Sequence, residues 1–144
     1  MVWVVLSAGC AQTRPVVTKV PQGEDRRDLI AVLPVENLSG RKAPLEEIRR
    51  TLDRKLGERG MGTVQEGNLE GFIQKYRVRY TGGLDREMAR GLREETGANK
   101  ALITSLDHYS EVYPPKVGLS SRLVSTEDAA QILWAQTAGL AGDS

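Results

Sequence analysis

The hydrophobic pattern is most regular in residues 29–59, where an apolar run is followed by a polar loop and an amphipathic segment. The run LIAVLP, residues 29–34, is too uniformly apolar for a strand with one face in water, so it predicts a central buried strand. Residues 44–59 repeat apolar side chains at three- and four-residue steps, which predicts a helix with one apolar stripe. The stripe consists of Leu45, Ile48, Leu52 and Leu56. Together these segments predict the first unit of an α/β layer.

Two further helices are predicted in the middle of the chain. Residues 68–77 carry apolar side chains on one helical face, and Asn68 is a suitable N-cap. Residues 85–96 repeat the helical pattern, with Asp85 as the cap and Gly97 just after the last turn. Residues 61–64, between the first and second helices, predict a short strand.

The last third of the chain changes to the two-residue alternation that is typical of strands. Residues 101–106, 117–124 and 131–137 predict three strands, and the turn at residues 126–130 joins the last two into an antiparallel hairpin. The complete order predicts an α/β (α+β) fold of two or three layers, in which helices pack on a mixed β-sheet of about four to five strands. We assign residues 29–144 to this single domain.

The composition is that of an ordinary globular chain with balanced charge. Among 144 residues, 20 Lys and Arg against 19 Asp and Glu leave a net charge of +1. A charge so close to zero gives no field strong enough to collect nucleic acid or an anionic membrane. One cysteine, Cys10, and one histidine, His108, exclude an internal disulfide and a structural zinc site. We therefore expect no metal, no cofactor and no nucleic-acid partner.

The beginning of the chain has the character of a targeting segment. Residues 1–9 are apolar and then small, like the end of a signal peptide, and are interpreted as its remnant. Residues 6–10 (LSAGC) resemble a bacterial lipobox, which implies a lipid on the thiol of Cys10. Residues 10–28 have no apolar period, so we interpret them as a lipidated cysteine and a flexible tether. The alternative is a cytosolic protein with an apolar first strand and a free thiol.

A lipidated Cys10 would determine where the protein resides. Two or more acyl chains anchor a protein stably to a membrane, whereas one chain binds only marginally. Ala11 and Gln12 follow the cysteine, and the lack of aspartate there is similar to the outer-membrane pattern of well-known lipoproteins. The expected location is therefore the bacterial outer membrane, with the domain facing the periplasm.

A family resemblance appears when the predicted strands are considered together. Residues 30–40 (IAVLPVENLSG) are similar to the first strand and loop of the TolB amino-terminal domain and of curli-secretion (CsgG-like) lipoproteins. Residues 100–106, 119–124 and 132–134 resemble later strands of this group, so the resemblance covers most of residues 29–138. It carries over no catalytic residue. It implies a non-catalytic binding or assembly factor of an envelope complex, and because the group normally continues with another helix, we expect an incomplete cover on the sheet.

The most individual segment is the predicted loop at residues 107–115, which contains two tyrosines, two prolines and His108. Tyrosine and rigid proline suit protein interfaces, so Tyr109, Tyr113, Pro114 and Pro115 are the candidate contacts with another envelope protein. The alternative interpretation is an ordinary loop whose tyrosines pack on the sheet. Association with further copies of the same chain is left open.

Two other functions remain as alternatives to a binding factor. The first is hydrolysis, because Ser105, Asp107 and His108 are close in the sequence, although no GxSxG motif is present. The second is nucleic-acid binding through basic side chains on or near the helices, which the net charge argues against. These side chains are Arg49, Arg50, Arg54, Arg77 and Arg79.

Overall fold

The computed structural model describes residues 27–78, 83–128 and 131–142, which form one mixed β-sheet with helices on both faces. The strands are β1 (Leu29–Val32), β2 (Glu36–Asn37), β3 (Gly62–Thr63), β4 (Lys100–Ser110), β5 (Lys116–Ser125) and β6 (Ile132–Ala141). The helices are α1 (Leu45–Glu58), α2 (Glu66–Lys75) and α3 (Arg86–Thr96). The predicted fold class, including the C-terminal antiparallel strands, is confirmed.

The sheet is parallel on one side and antiparallel on the other. Its strand order is β3-β1-β4-β5-β6, and β2 pairs with β4 off this path. β1 runs parallel to both β3 and β4, whereas β4, β5 and β6 form two successive antiparallel pairs. Parallel neighbours need a long crossover, and α1 lies within the connection from β1 to β3. The antiparallel strands are consecutive in the chain and need only short connections.

Helix α1 covers one face of the parallel strands with the second half of its predicted apolar stripe. The buried cluster on this face consists of Ile30, Val32 and Leu102, with Leu52 and Leu56 of the helix and Leu123 of β5 packed against it. The helix begins with Glu46 and Glu47 in its first turn, where the positive end of the helix dipole favours carboxylates. The strand–helix unit predicted from residues 29–59 is therefore present.

Helices α2 and α3 cover the opposite face of the sheet and enclose the larger apolar cluster. Phe72 of α2 and Leu92 of α3 are 1% and 0% exposed, so the two helices supply fully buried side chains. Asp85 caps α3 as predicted, because its carboxylate accepts a hydrogen bond from the backbone N–H of Met88 at 2.7 Å. Gly97 follows α3 with a φ of 75°, the left-handed conformation that ends many helices.

One buried cation ties α1 to the beginning of α2. Arg49 is 7% exposed and donates hydrogen bonds to Glu46 at 2.6 Å and to Glu66, the first residue of α2, at 3.1 Å. The hydrogen bond between Arg49 and Glu46 lowers the pKa of the Glu46 carboxyl and raises the pKa of the guanidinium. Arg50 approaches Glu66 at 3.3 Å from the exposed side.

Two predicted element boundaries differ from the structure. Helix α2 begins at Glu66, so Asn68 lies inside the helix and its prediction as the N-cap is wrong. The residue in the cap position is Gln65, whose side chain makes no capping hydrogen bond. Strand β4 extends to Ser110, so Tyr109 lies on a strand and not in a loop. This extension pairs with β5 beyond a register shift between Leu106 and His108.

Candidate docking surface

The antiparallel half of the sheet extends beyond the helices that cover it. β4 is largely buried up to Leu106 and becomes exposed at Asp107, β5 is only partly buried, and every residue of β6 is exposed. Because side chains alternate between the two sides of a strand, the uncovered part of the sheet presents two separate faces. These faces differ in chemistry.

The first face, which we name the apolar face, lies on the same side of the sheet as α1. Its apolar residues are Val117, Leu119 and Leu123 of β5 and Trp134, Ala138 and Leu140 of β6, paired in register across the two strands, and the polar pair Ser121–Gln136 lies among them. Residues directly opposite each other in an antiparallel pair point to the same side, and Leu123 belongs to the cluster under α1. Trp134 and Leu140 remain 47% and 72% exposed, so this face presents large apolar side chains to solvent.

The second face, which we name the polar face, carries a row of hydroxyl groups. Ser105, Ser120 and Thr137 lie side by side on β4, β5 and β6. The Ser105 hydroxyl donates to the Asp107 carboxylate at 2.7 Å, the Ser120 hydroxyl donates to the other oxygen of that carboxylate, and the Ser120 and Thr137 hydroxyls are 2.9 Å apart. These hydroxyl and carboxylate groups satisfy one another's hydrogen bonding, so the polar face is compatible with contact to water.

A groove of about 530 Å³ lies at the end of the apolar face, where β4 turns into β5. We name it the tip groove. Tyr109, Pro115, Val117 and Leu140 provide its aromatic and apolar walls. The backbone N–H of Gly142 donates to the carbonyl of Pro115 at 2.7 Å, which fastens the end of β6 to the turn. The groove is open to solvent, and this hydrogen bond connects the two backbone segments that form its edge.

The structure places the four predicted contact residues around this turn. Tyr109 and Pro115 line the tip groove, whereas Tyr113 and Pro114 line a neighbouring hollow of about 280 Å³ that also includes His108. Tyr113 is 65% exposed, and its peptide bond to Pro114 is cis. Tyr109, on β4, is partly buried, so the two tyrosines differ in exposure.

Tyr109 is held in place by a neighbouring carboxylate. Its phenol donates a hydrogen bond to Glu111 at 2.9 Å. This hydrogen bond is the main cause that raises the pKa of Tyr109, because it stabilises the protonated phenol, and the negative charges of Glu111 and Glu47 act in the same direction. Tyr109 therefore presents a neutral, hydrogen-bonded ring to the groove.

The geometry around His108 does not form a nucleophile–base pair. Ser105 directs its hydroxyl to the Asp107 carboxylate, and His108 lies on an exposed part of β4 beyond the register shift. In a serine hydrolase the hydroxyl is bonded to the histidine, which is in turn oriented by the carboxylate. The three residues that suggested hydrolysis are thus close together without that arrangement.

The basic residues considered for nucleic-acid binding are mostly paired with carboxylates. Arg49 and Arg50 contact Glu46 and Glu66, and Arg54 donates to Glu58 at 2.8 Å. The last of the five, Arg79, lies outside the described residues. Because these carboxylates neutralise the charge of α1, the helix offers no free row of cations to phosphates.

Sequence reasoning does not identify several residues of the apolar face. Val117 and Leu123 were recognised only as strand residues, and Leu140 lies beyond the predicted end of the last strand. The available signal is the complete absence of charge from Ile132–Ala141, combined with large apolar residues at both ends. A strand with one face in water normally alternates apolar and polar residues, and this strand does not.

The predicted lipidation site, Cys10, lies outside the described residues, as do the signal-peptide remnant and nearly all of the tether. Within residues 27–78, 83–128 and 131–142, none of the helices has the length and hydropathy to cross a bilayer. The same residues contain no group of three or more His, Cys, Asp or Glu side chains placed to hold a metal ion.

No protein-family model and no curated protein matches this sequence, but solved structures do. Lipoprotein GNA1162 from Neisseria meningitidis matches with a TM-score of 0.66 at 18% identity, over 78% of this chain and 79% of that one. The LpoB C-terminal domain from Salmonella enterica matches with a TM-score of 0.63 at 21% identity, over 83% of this chain and 86% of that domain. The PelC dodecamer from Paraburkholderia phytofirmans matches with a TM-score of 0.55 at 15% identity, over 80% of this chain and 72% of PelC.

These matches extend over most of this chain and most of each compared chain. At identities of 15–21% they establish the fold and nothing finer. The chain has the α/β fold that the bacterial lipoprotein GNA1162 and the LpoB C-terminal domain share.

Proposed function

We propose that this chain is a lipid-anchored, non-catalytic envelope protein that binds another envelope protein through the tip groove and the turn beside it. The observation that carries the proposal is the turn itself, where Val112 and Tyr113 are 78% and 65% exposed next to an apolar groove. Aromatic residues are enriched in protein interfaces, since they bury much area and lose little side-chain freedom.

The membrane anchor is the second part of the proposal. Residues 6–10 resemble a lipobox, and the fold shared with the lipoprotein GNA1162 supports this interpretation of Cys10. We place the lipidated protein on the outer membrane, facing the periplasm, because no aspartate follows the cysteine. The tether would then separate the domain from the membrane surface and leave the tip accessible to a partner.

The relationship to TolB amino-terminal domains and CsgG-like lipoproteins remains part of the proposal. It rests on residues 30–40, which include most of β1, all of β2 and the segment between them, and on the strands that follow. A second candidate function is assembly with further copies of this chain, which the match to the PelC dodecamer favours.

The anchor is tested by expression in a Gram-negative host with labelled palmitate. The wild type and a Thr18→Ala control, which leaves residues 6–10 unchanged, should incorporate label and sediment with membranes. Cys10→Ala should lose both properties because no thiol remains to accept the lipid. An unlabelled wild type in the soluble fraction would contradict the anchor and would leave the fold unaffected.

The contact surface is tested by site-specific photo-cross-linking in the same cells. A photoreactive residue in place of Tyr113 should cross-link to one envelope protein, whereas the same residue in place of Gln74, exposed on α2, should not. Tyr113→Ser should reduce co-purification of that protein, and Gln74→Ser should not. Equal cross-linking from both positions, or none from position 113, would show that the turn is not the contact surface.

A further inference from the structure

The two edges of the sheet are protected to very different extents. At one edge, β3 has only two residues, and a short edge strand leaves little to pair with. At the other edge, β6 has ten residues and pairs only with β5 in the part of the chain that the structure describes. Ile132–Ala141 contains no charge and no proline, the devices that usually protect an edge, and its only irregularity is a register shift at its beginning.

We propose that β6 pairs antiparallel with β6 of a second copy of this chain about a two-fold axis, which joins the two sheets into one. An antiparallel pair of identical strands is compatible with a two-fold axis, so both copies use the same surface and the assembly closes at two. This inference concerns the sheet edge and depends neither on the tip groove nor on the lipid anchor.

The alternation of side chains limits the register of the pair. Residues directly opposite each other must point to the same side of the joined sheet. A register centred on Thr137 satisfies this condition and keeps the apolar faces of both copies on one side. It places Trp134 opposite Leu140 of the second copy, so the two large exposed side chains cover each other. Thr137 lies opposite Thr137 of the second copy, and facing threonines are a favourable cross-strand pair.

The lack of charge favours a second copy as the occupant of the edge, whereas the length of the edge limits the strength of the dimer. Because β6 is uncharged, two copies approach each other without like-charge repulsion, which is the usual obstacle to self-pairing. Ten residues at about 3.4 Å each give an edge of about 34 Å, and a sheet about 10 Å thick then buries roughly 700 Å² over both copies. A stable complex needs about 1,200–2,000 Å². The dimer should therefore be weak and dependent on concentration.

Cysteine cross-linking tests the register in the full chain with Cys10→Ser as background. Opposed residues of an antiparallel pair have Cα atoms about 4.5–5.5 Å apart, within the range of a disulfide. Thr137→Cys should therefore form a disulfide-linked dimer under mild oxidation at about 100 µM, a concentration suited to weak complexes. Thr51→Cys, at another exposed threonine, on α1, is the matched control and should stay monomeric.

Analytical ultracentrifugation of the same background tests the edge without cross-linking. The chain should change from monomer to dimer as its concentration rises, and Thr137→Lys should weaken the dimer at least about tenfold because the new charges face each other. Thr51→Lys should have no effect, and circular dichroism should show both variants folded. A monomer at every concentration, or any oligomer that Thr137→Lys leaves intact, would overturn the proposal.

Discussion

The packing between α2 and α3 depends on the absence of a side chain at Gly91. A Cβ at this position would lie 2.3 Å from the hydroxyl oxygen of Tyr76 and 2.6 Å from its Cζ. Carbon atoms in favourable contact are about 3.5–4.0 Å apart, so Gly91→Ala forces the ring to move. The ring centroid is 4.6 Å from that of Phe72, which is 1% exposed, so this movement disturbs the core.

Two opposing terms determine the stability of Gly91→Ala. Alanine inside a helix gains about 0.5–1 kcal/mol over glycine, whereas overpacking a well-packed site costs about 1–3 kcal/mol. We expect a net loss of about 1 kcal/mol in the free energy of unfolding. Gly71→Ala in α2 is the matched control: a Cβ there meets nothing within 4 Å, so this variant should gain up to about 1 kcal/mol.

Urea unfolding followed by circular dichroism measures both variants with a common m-value. The cause is tested by adding Gly91→Ala to a Tyr76→Ala chain, where the obstructing ring is absent. In that background the substitution should stabilise the fold as Gly71→Ala does. If Gly91→Ala destabilises both backgrounds equally, or stabilises the wild type, the steric explanation is refuted.

Two further predictions concern the ion pairs between α1 and α2. Arg49→Met should lower the free energy of unfolding in urea by about 1–3 kcal/mol because charged hydrogen bonds from a buried guanidinium are lost. Arg50→Met, at 66% side-chain exposure, should change it by less than about 0.5 kcal/mol. Equal losses in the two variants would contradict the role of burial. The pKa of Glu46 is lowered mainly by its hydrogen bond from Arg49, so the carboxylate contributes stability that is present above its ordinary pKa of 4.5 and is lost as pH falls through the lower folded value. Unfolding measured between pH 7 and pH 3 should show this loss in the wild type and less of it in Glu46→Gln; parallel curves would contradict it.

Short-range patterns predicted the elements whose boundaries depend on local chemistry. Helix α3 lies where Asp85 and Gly97 indicated, since a cap carboxylate and a left-handed glycine act within one turn of the helix end. The stripe on α1 was equally visible because its period is a property of the helix itself. These features need no information about the rest of the chain.

The boundaries that were missed depend on residues far away in the sequence. Helix α2 begins at Glu66, and this residue is bonded to Arg49 and Arg50, which lie 17 and 16 positions earlier. Nothing in the local sequence indicates this ion pair. Likewise, β4 continues to Ser110 because it pairs with β5 over this length. The two-residue strand β2 forms because it pairs with β4.

The two uncovered faces differ in chemistry, a difference that strand formation alone does not require. β-branched and aromatic residues favour strands anywhere, so exposed apolar residues alone have little meaning. On the polar face, however, the same three strands keep a water-compatible surface with Ser105, Ser120 and Thr137, bonded to one another or through Asp107. The polar face therefore contacts water largely through hydroxyl groups, although Ile132 at its end is 59% exposed, whereas the apolar face presents Trp134, 47% exposed. Exposed apolar surface of this kind is typical of binding sites, so Trp134 and Leu140 mark the apolar face as a candidate docking surface.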